Sequence, residues 1–223
     1  VRPAKKIVEQ HWLLGIYKDY SAGLRYLFER KRLCILYVAQ LFEMVIFMVS
    51  PVLLAPFAKN VLRANVGQFG ALEASISVGV VVGGLVSPWF AERFGTIRVV
   101  IIETIVMLFA YALFCLNVNL GVADILNVII GIGLSVWPLM ITMAQSQTDI
   151  NFQGRVQSTF NSLSGVVVVV MYLLASGYGP SVSIRSLYSV QVLFSLAVII
   201  LLFFYCFMRG NRSKETLITK NRL

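Results

Sequence analysis

The sequence predicts an all-α membrane protein, a bundle of six transmembrane helices, and three observations carry that expectation. Of the 223 residues, 58% are hydrophobic and 13% charged, against roughly 45–50% and about 25% in soluble domains. The apolar residues gather into stretches of about 20–25 residues, the length that crosses a bilayer as a helix. The basic residues fall almost entirely on alternate connections between those stretches. A water-soluble fold is excluded, because a chain of this length given over to such stretches leaves no room for a sizeable soluble domain.

Residues 1–32 form a polar, basic leader without the apolar core of a signal peptide. Within it Leu13, Ile16, Tyr17, Tyr20, Leu24, Leu27 and Phe28 recur at spacings of three and four, with Lys18, Arg25 and Glu29 between them. That is the period of an amphipathic helix, and ahead of a first span it would lie along the inner membrane face, its apolar stripe turned to lipid or to the underside of the bundle. A partly ordered basic linker is the other reading. His11 is expected to be solvated and without a role.

Residues 33–208 hold the six stretches: Leu33–Phe57, Gly67–Phe90, Ile97–Leu116, Val122–Gln145, Gln157–Pro180 and Leu187–Met208. In hydrocarbon every backbone amide has to be satisfied internally, so each stretch is a helix. Runs such as Val166–Val170 and Val198–Phe204 are apolar on every face, whereas a membrane β-barrel needs alternating segments of about ten residues. Residues 209–223 are a short basic tail of polar composition, expected to be disordered.

The spans carry a few residues that hydrocarbon does not favour. Glu43 lies near the middle of the first, Glu73 in the outer third of the second and Glu103 in the inner third of the third. A charge at mid-bilayer costs roughly 2.5–3.5 kcal/mol on insertion scales, which makes Glu43 the informative one. Its two readings are a group that binds and releases a proton and a hydrogen-bonding partner for a neighbouring helix; Glu73 and Glu103 either join it in a proton or substrate site or reach toward the interfaces. Pro51 and the Trp137-Pro138 pair are expected to interrupt their helices, since proline removes an intrahelical hydrogen bond. Such breaks either shape a cavity or merely curve a span. Gly79 with Gly83, and Gly131 with Ser135, are small-xxx-small pairs suited to close helix packing. Ser158, Asn161, Ser162 and Gly165 make a polar stripe at helical spacing on the fifth span, fit to line a water-filled path or to bind a neighbour.

Sixteen of the nineteen lysines and arginines fall on one side: eight before the first span, Arg93 and Arg98 between the second and third, Arg155 between the fourth and fifth, and five after the last. Lys59, Arg63 and Arg185 are on the other. By the positive-inside rule both termini are cytoplasmic. The net charge of +9 therefore reflects topology, with attraction to anionic lipid secondary, and nucleic acid is not an expected partner. Cys34, Cys115 and Cys206 sit inside apolar runs with no CxxC spacing, so neither a disulfide framework nor a metal site is expected. Catalysis is not expected either: the one histidine is in the leader and no HExxH, GxSxG or paired-carboxylate motif is present, and serine or metal chemistry needs such groups within reach. No cofactor is expected.

The most specific motif joins the second and third spans: Gly84-Leu85-Val86-Ser87-Pro88-Trp89-Phe90-Ala91-Glu92-Arg93-Phe94-Gly95-Thr96-Ile97-Arg98. It resembles the major facilitator superfamily signature G-x-x-x-D-R-x-G-R-[RK], with Glu92-Arg93-x-Gly95 as the matching core and Arg98 retained. The leading Gly falls on Pro88, the Asp is Glu92 and the residue after Gly95 is Thr96; degeneracy of this kind resembles the second repeat of that family. Ser21-Ala22-Gly23-Leu24-Arg25-Tyr26-Leu27, Pro56-Phe57-Ala58-Lys59-Asn60-Val61-Leu62 with Gly67-Gln68-Phe69-Gly70, and Gly154-Arg155-Val156-Gln157-Ser158 resemble, in order and spacing, segments of its macrolide-efflux-like branch.

The resemblance implies the C-terminal six-helix half of a twelve-helix transporter in the cell's inner membrane. It implies a gating loop of Glu92, Arg93, Gly95 and Arg98, a cytoplasmic loop holding Gly154 and Arg155, and alternating access with an N-terminal six-helix half or a second copy as partner. The implied activity is proton-coupled export of small amphipathic molecules or drugs, with lipid bilayer around the bundle. Val1 in place of a start methionine suggests a fragment, or an alternative start codon. A six-helix scaffold that transports nothing by itself is the competing expectation.

Overall fold

A computed structural model of the chain describes residues 12–178 and 183–220, with side-chain surroundings for residues 18, 20–177 and 183–208. Among the described residues the regular elements are eight α-helices: α1 (Trp12–Glu29), α2 (Lys31–Asn60), α3 (Val66–Phe94), α4 (Thr96–Leu116), α5 (Leu120–Leu134), α6 (Val136–Ser146), α7 (Ile150–Tyr178) and α8 (Ile184–Lys220). Six segments are long and apolar enough to cross a membrane: α2, α3, α4, α5 together with α6, α7 up to Gly177, and α8 up to Met208. Each coincides with one of the stretches expected from the sequence, except that Gly179 and Pro180, the end of the fifth stretch, lie outside the described residues.

Local chemistry sets the helix ends. Asn65 caps α3 through a capping box, its Oδ1 accepting from the Gln68 amide while Gln68 Oε1 accepts from the Asn65 amide, each at 2.9 Å; two otherwise orphaned donors are thereby satisfied. One residue, Gly95, links α3 to α4, with φ +92°, a conformation that side chains disfavour and glycine adopts freely. Asp149 starts α7: its Oδ1 accepts from the Asn151 amide at 2.9 Å and its carbonyl from the amides of Phe152 and Gln153. Because of that cap α7 begins at Ile150, so Gly154 and Arg155 lie in helix, not in the loop that the sequence suggests.

The two prolines singled out in the sequence behave differently. Helix α2 runs without interruption through Pro51, correcting the expected break there. The fourth span does break, at Ser135 between α5 and α6, three residues ahead of Pro138. A proline has no N–H for the carbonyl four residues earlier and crowds it; here that carbonyl belongs to Leu134, the last residue of α5. At the break itself Ser135 donates its Oγ–H to the Ile132 carbonyl at 2.7 Å. Helix α8 continues past Met208 to Lys220, where disorder is expected from composition. Extension of an existing helix avoids the nucleation step that an isolated segment of that length would face.

Helix α1 packs antiparallel against the start of α7. Tyr26 stacks on Phe152 with centroids 4.5 Å apart, its hydroxyl accepts from the Asp149 amide at 2.9 Å, and the Arg30 guanidinium lies 3.8 Å over the Tyr26 ring. Gly23 allows the approach, since a Cβ there would crowd the Thr159 hydroxyl and the Arg155 carbonyl. The docked face is that of Gly23, Tyr26 and Leu27, whereas Phe28 is exposed. The side chains of Leu13, Ile16 and Tyr17, and all of His11, lie outside the described residues.

Helices α3 and α5 run parallel and form the most intimate pair. Gly79 of α3 abuts the Val128 carbonyl and Gly131 of α5, and Gly83 abuts Ser135 and the Ile132 carbonyl. The two small-xxx-small pairs read from the sequence thus pack on each other, backbone on backbone. Asn127 donates to the Leu72 carbonyl at 3.2 Å and Ser75 to Asp124 at 3.1 Å in the same seam.

Buried apolar side chains fall into two clusters stacked along the bundle. One, toward the α2–α3 connection, contains Val45, Leu54, Phe57, Met107, Phe114, Leu126, Leu134, Val168 and Tyr188. The other, toward the α3–α4 connection, contains Leu36, Ala39, Val100, Val136, Met140, Phe160, Val198 and Leu202.

Candidate functional site

Between the two clusters runs a belt of buried polar side chains. Helix α2 contributes Gln40 and Glu43, α4 Thr104, the break in the fourth span Ser135, α7 Ser164, and α8 Gln191 and Ser195, all buried. On each of these helices the polar residues sit where one apolar cluster ends and the other begins. Buried polar groups in hydrocarbon are costly unless they find partners, so their alignment at one level is the strongest functional signal in the fold.

Glu43 is 2% exposed and its Oε1 accepts from the Thr104 hydroxyl at 3.2 Å. The same hydroxyl lies 2.8 Å from the Val100 carbonyl, so one proton serves two acceptors. The preceding residue on α4, Glu103, lies about 100° around the helix axis and meets a different neighbour. Its Oε1 accepts from Ser87 of α3, Ser87 shares a 3.1 Å hydrogen bond with Ser135, and its Oε2 is buried without a partner. Consecutive residues of α4 thus connect α2 on one side with α3 and the broken fourth span on the other. About two turns further along, Ser50 of α2 and Tyr111 of α4 share a hydrogen bond of 2.5 Å, and Tyr172 of α7 donates to the Met48 carbonyl at 2.8 Å. The Gln40 amide and the Ser164 hydroxyl are buried without partners.

Glu73 lies elsewhere, exposed on α3, and does not join the other two carboxyls. Of the expected gating loop only Gly95 is outside a helix: Glu92 and Arg93 are in the last turn of α3 and Arg98 in the first turn of α4, and all four residues are exposed. Arg93 stacks near Trp89 and Phe94, its guanidinium carbon 5.8 and 5.9 Å from their centroids. Arg155 approaches the Phe152 ring at 6.0 Å. The four polar positions of the α7 stripe, Ser158, Asn161, Ser162 and Gly165, face outward from the bundle. Among the described residues no group of three His, Cys, Asp or Glu side chains gathers as a metal site.

The arrangement is a protein-enclosed acid in the middle of a six-span bundle, beside a helix broken by proline. A family model described as Major Facilitator Superfamily matches residues 36–222. The chain belongs to the major facilitator superfamily. No curated protein matches it. Membership makes the chain a multi-pass membrane protein of a transporter family, surrounded by lipid and built to handle a small-molecule substrate. The match covers all six spans and leaves α1 ahead of it. Sequence reasoning located the superfamily signature and Glu43 but missed Thr104, Ser87 and Gln40. Their signal, a small polar residue at the same depth on each helix, emerges once the spans are aligned by depth.

Proposed function

We propose that this chain is the C-terminal six-helix half of a secondary-active transporter of the macrolide-efflux-like branch. It exports small amphipathic molecules or drugs by alternating access, and the movement of protons drives it. The observation that carries the reading is the enclosed Glu43–Thr104 pair at the middle of the first span of a major facilitator chain. Glu43 takes and releases the coupling proton, with Thr104 holding the carboxyl in place. Glu103, tied to Ser87 and Ser135, senses the position of the broken span as the bundle rocks.

The gating residues are Glu92, Arg93, Gly95 and Arg98 on the cytoplasmic face, where Gly154 and Arg155 of the first turns of α7 also lie. The membrane in this reading is the cell's inner membrane, with both termini cytoplasmic, an orientation that the distribution of basic residues supports. A partner half packs on α3 and α7. In these two spans only 17% of the most apolar window is buried, and the α7 stripe of Ser158, Asn161 and Ser162 is exposed, which hydrocarbon alone would not favour. The substrate path lies between that stripe and the partner.

Dye efflux from cells tests this. Co-expression of the chain with a separate N-terminal six-helix half is expected to lower dye accumulation, and dissipation of the proton gradient is expected to restore it. Accumulation that stays equal with and without the partner contradicts the transporter reading and favours a scaffold.

A further inference from the structure

A crevice of about 330 Å³ opens between α7 and α8, with α2 as its floor, inside the range of about 300–1,000 Å³ typical of small-molecule sites. Its walls are Val49 and Leu53 of α2, Met171 and Ala175 of α7, and Leu187 and Phe194 of α8. Amid these apolar groups one polar side chain lines the space, Gln191 of α8. Gln191 is 1% exposed, and both its side-chain nitrogen and its oxygen lack a hydrogen-bond partner. An unpaired buried amide is costly, and it here borders a space large enough to admit what it lacks.

The crevice does not belong to the path proposed above. At 3.6 residues per turn, the lining residues Met171, Leu174 and Ala175 of α7 centre roughly 140° around the helix from the stripe of Ser158, Asn161, Ser162 and Gly165. Leu174 lines the space and is itself exposed, and the residues next to the walls in sequence, Leu173 on α7 and Leu193 on α8, are exposed as well, an apolar surface of the kind that meets lipid. It lies in the half of the bundle toward the α2–α3 connection, since Val49 and Leu53 form part of α2's outer turns.

We propose that this crevice binds a small, uncharged amphiphile that enters sideways from the bilayer, its chain among the apolar walls and its polar group on the Gln191 amide. The chemistry of the site selects this class. Gln191 offers one acceptor and two donors, which a primary amide or an alcohol answers, and no charged side chain lines the space to hold an ionic headgroup. The inference rests on the membrane placement of the chain alone and is independent of Glu43.

The test uses the full chain in detergent micelles and a photoreactive diazirine analogue of decanamide, with decanamide and decane as competitors. Labelling is expected on α7 and α8 around the crevice, with decanamide competing at about tenfold lower concentration than decane, the worth of one or two neutral hydrogen bonds. Gln191→Leu is expected to remove that difference and to unfold at a temperature no lower than the unmodified chain. Ala175→Phe, which fills the space and keeps Gln191, is expected to abolish the labelling. Labelling spread evenly over all six spans, equal competition by amide and alkane, or a difference that survives Gln191→Leu would overturn the proposal. A Gln191→Leu chain that unfolds at lower temperature would overturn it too, by showing the amide to be a structural group.

Discussion

Glu43→Gln is expected to abolish proton-driven efflux while leaving the folded chain in the membrane. The substitution keeps the size of the side chain and its ability to accept from Thr104, which stands 3.2 Å away, so the packing between α2 and α4 has no reason to change. It removes the one property a carboxamide lacks, the capacity to take up and release a proton. The expected phenotype is therefore split. Efflux against a gradient falls to the level of membranes without the protein, and the response to an imposed pH difference disappears. Downhill movement of substrate persists, because binding and rocking do not require the proton once coupling is gone. Thr104→Val separates position from chemistry: it leaves the acid in place without its hydroxyl and is expected to weaken coupling rather than remove it. Fluorescent substrate flux in vesicles, with and without a pH gradient, reads both variants. Unchanged coupling in Glu43→Gln would dismiss Glu43 as the proton carrier and leave it as a helix-pairing group.

The second large effect is on folding. Gly79→Val is expected to destabilise the bundle severely, because a Cβ at Gly79 would sit 2.9 Å from Gly131 Cα and closer still to the Val128 carbonyl oxygen. Both obstacles are backbone, which cannot swing aside as a side chain can, so α3 and α5 have to separate. Overpacking typically costs about 1–3 kcal/mol and occasionally more; a clash of backbone against backbone belongs at the upper end. Separation of the pair also loosens the Asn127–Leu72 and Ser75–Asp124 hydrogen bonds. Gly84→Ala is the control: it lies on the same helix, and a Cβ there meets nothing within 4 Å, so stability should stay the same or rise, by up to about 1 kcal/mol from helix propensity. Thermal unfolding in detergent and the yield of monodisperse protein distinguish the two, and a Gly79→Val chain as stable as Gly84→Ala would mean that the seam is not as drawn.

These two cases also show what the sequence discloses and what it hides. The six spans were legible because length and apolar composition decide membrane helices almost alone. Glu43 stood out because an acid at mid-span is rare enough to call for an explanation. Its partner did not. Helix α4 is apolar around nearly its whole circumference, from Val99 to Cys115, and such a helix gives no contrast from which to read the buried face. Glu73 and Glu103 looked equivalent for the same reason, yet one is exposed on α3 and the other is tied to Ser87. The glycine pairs were legible as packing motifs, whereas the meeting of Gly79 with Gly131 and of Gly83 with Ser135 depends on which helices adjoin. The start of α7 was misplaced because Asp149, a helix cap, lies in a polar run that composition alone reads as loop.

Every part of this account depends on where the chain crosses the bilayer, since Glu43 is a proton carrier only if it sits at mid-membrane. Reporter fusions measure that directly, with paired cytoplasmic and extracytoplasmic reporters placed ahead of Val1, after Arg63 between α2 and α3, and after Leu223. The predicted result is cytoplasmic activity at both chain ends and extracytoplasmic activity after Arg63. Ends found on opposite faces, or a cytoplasmic signal after Arg63, would contradict the six-span arrangement and the site built on it.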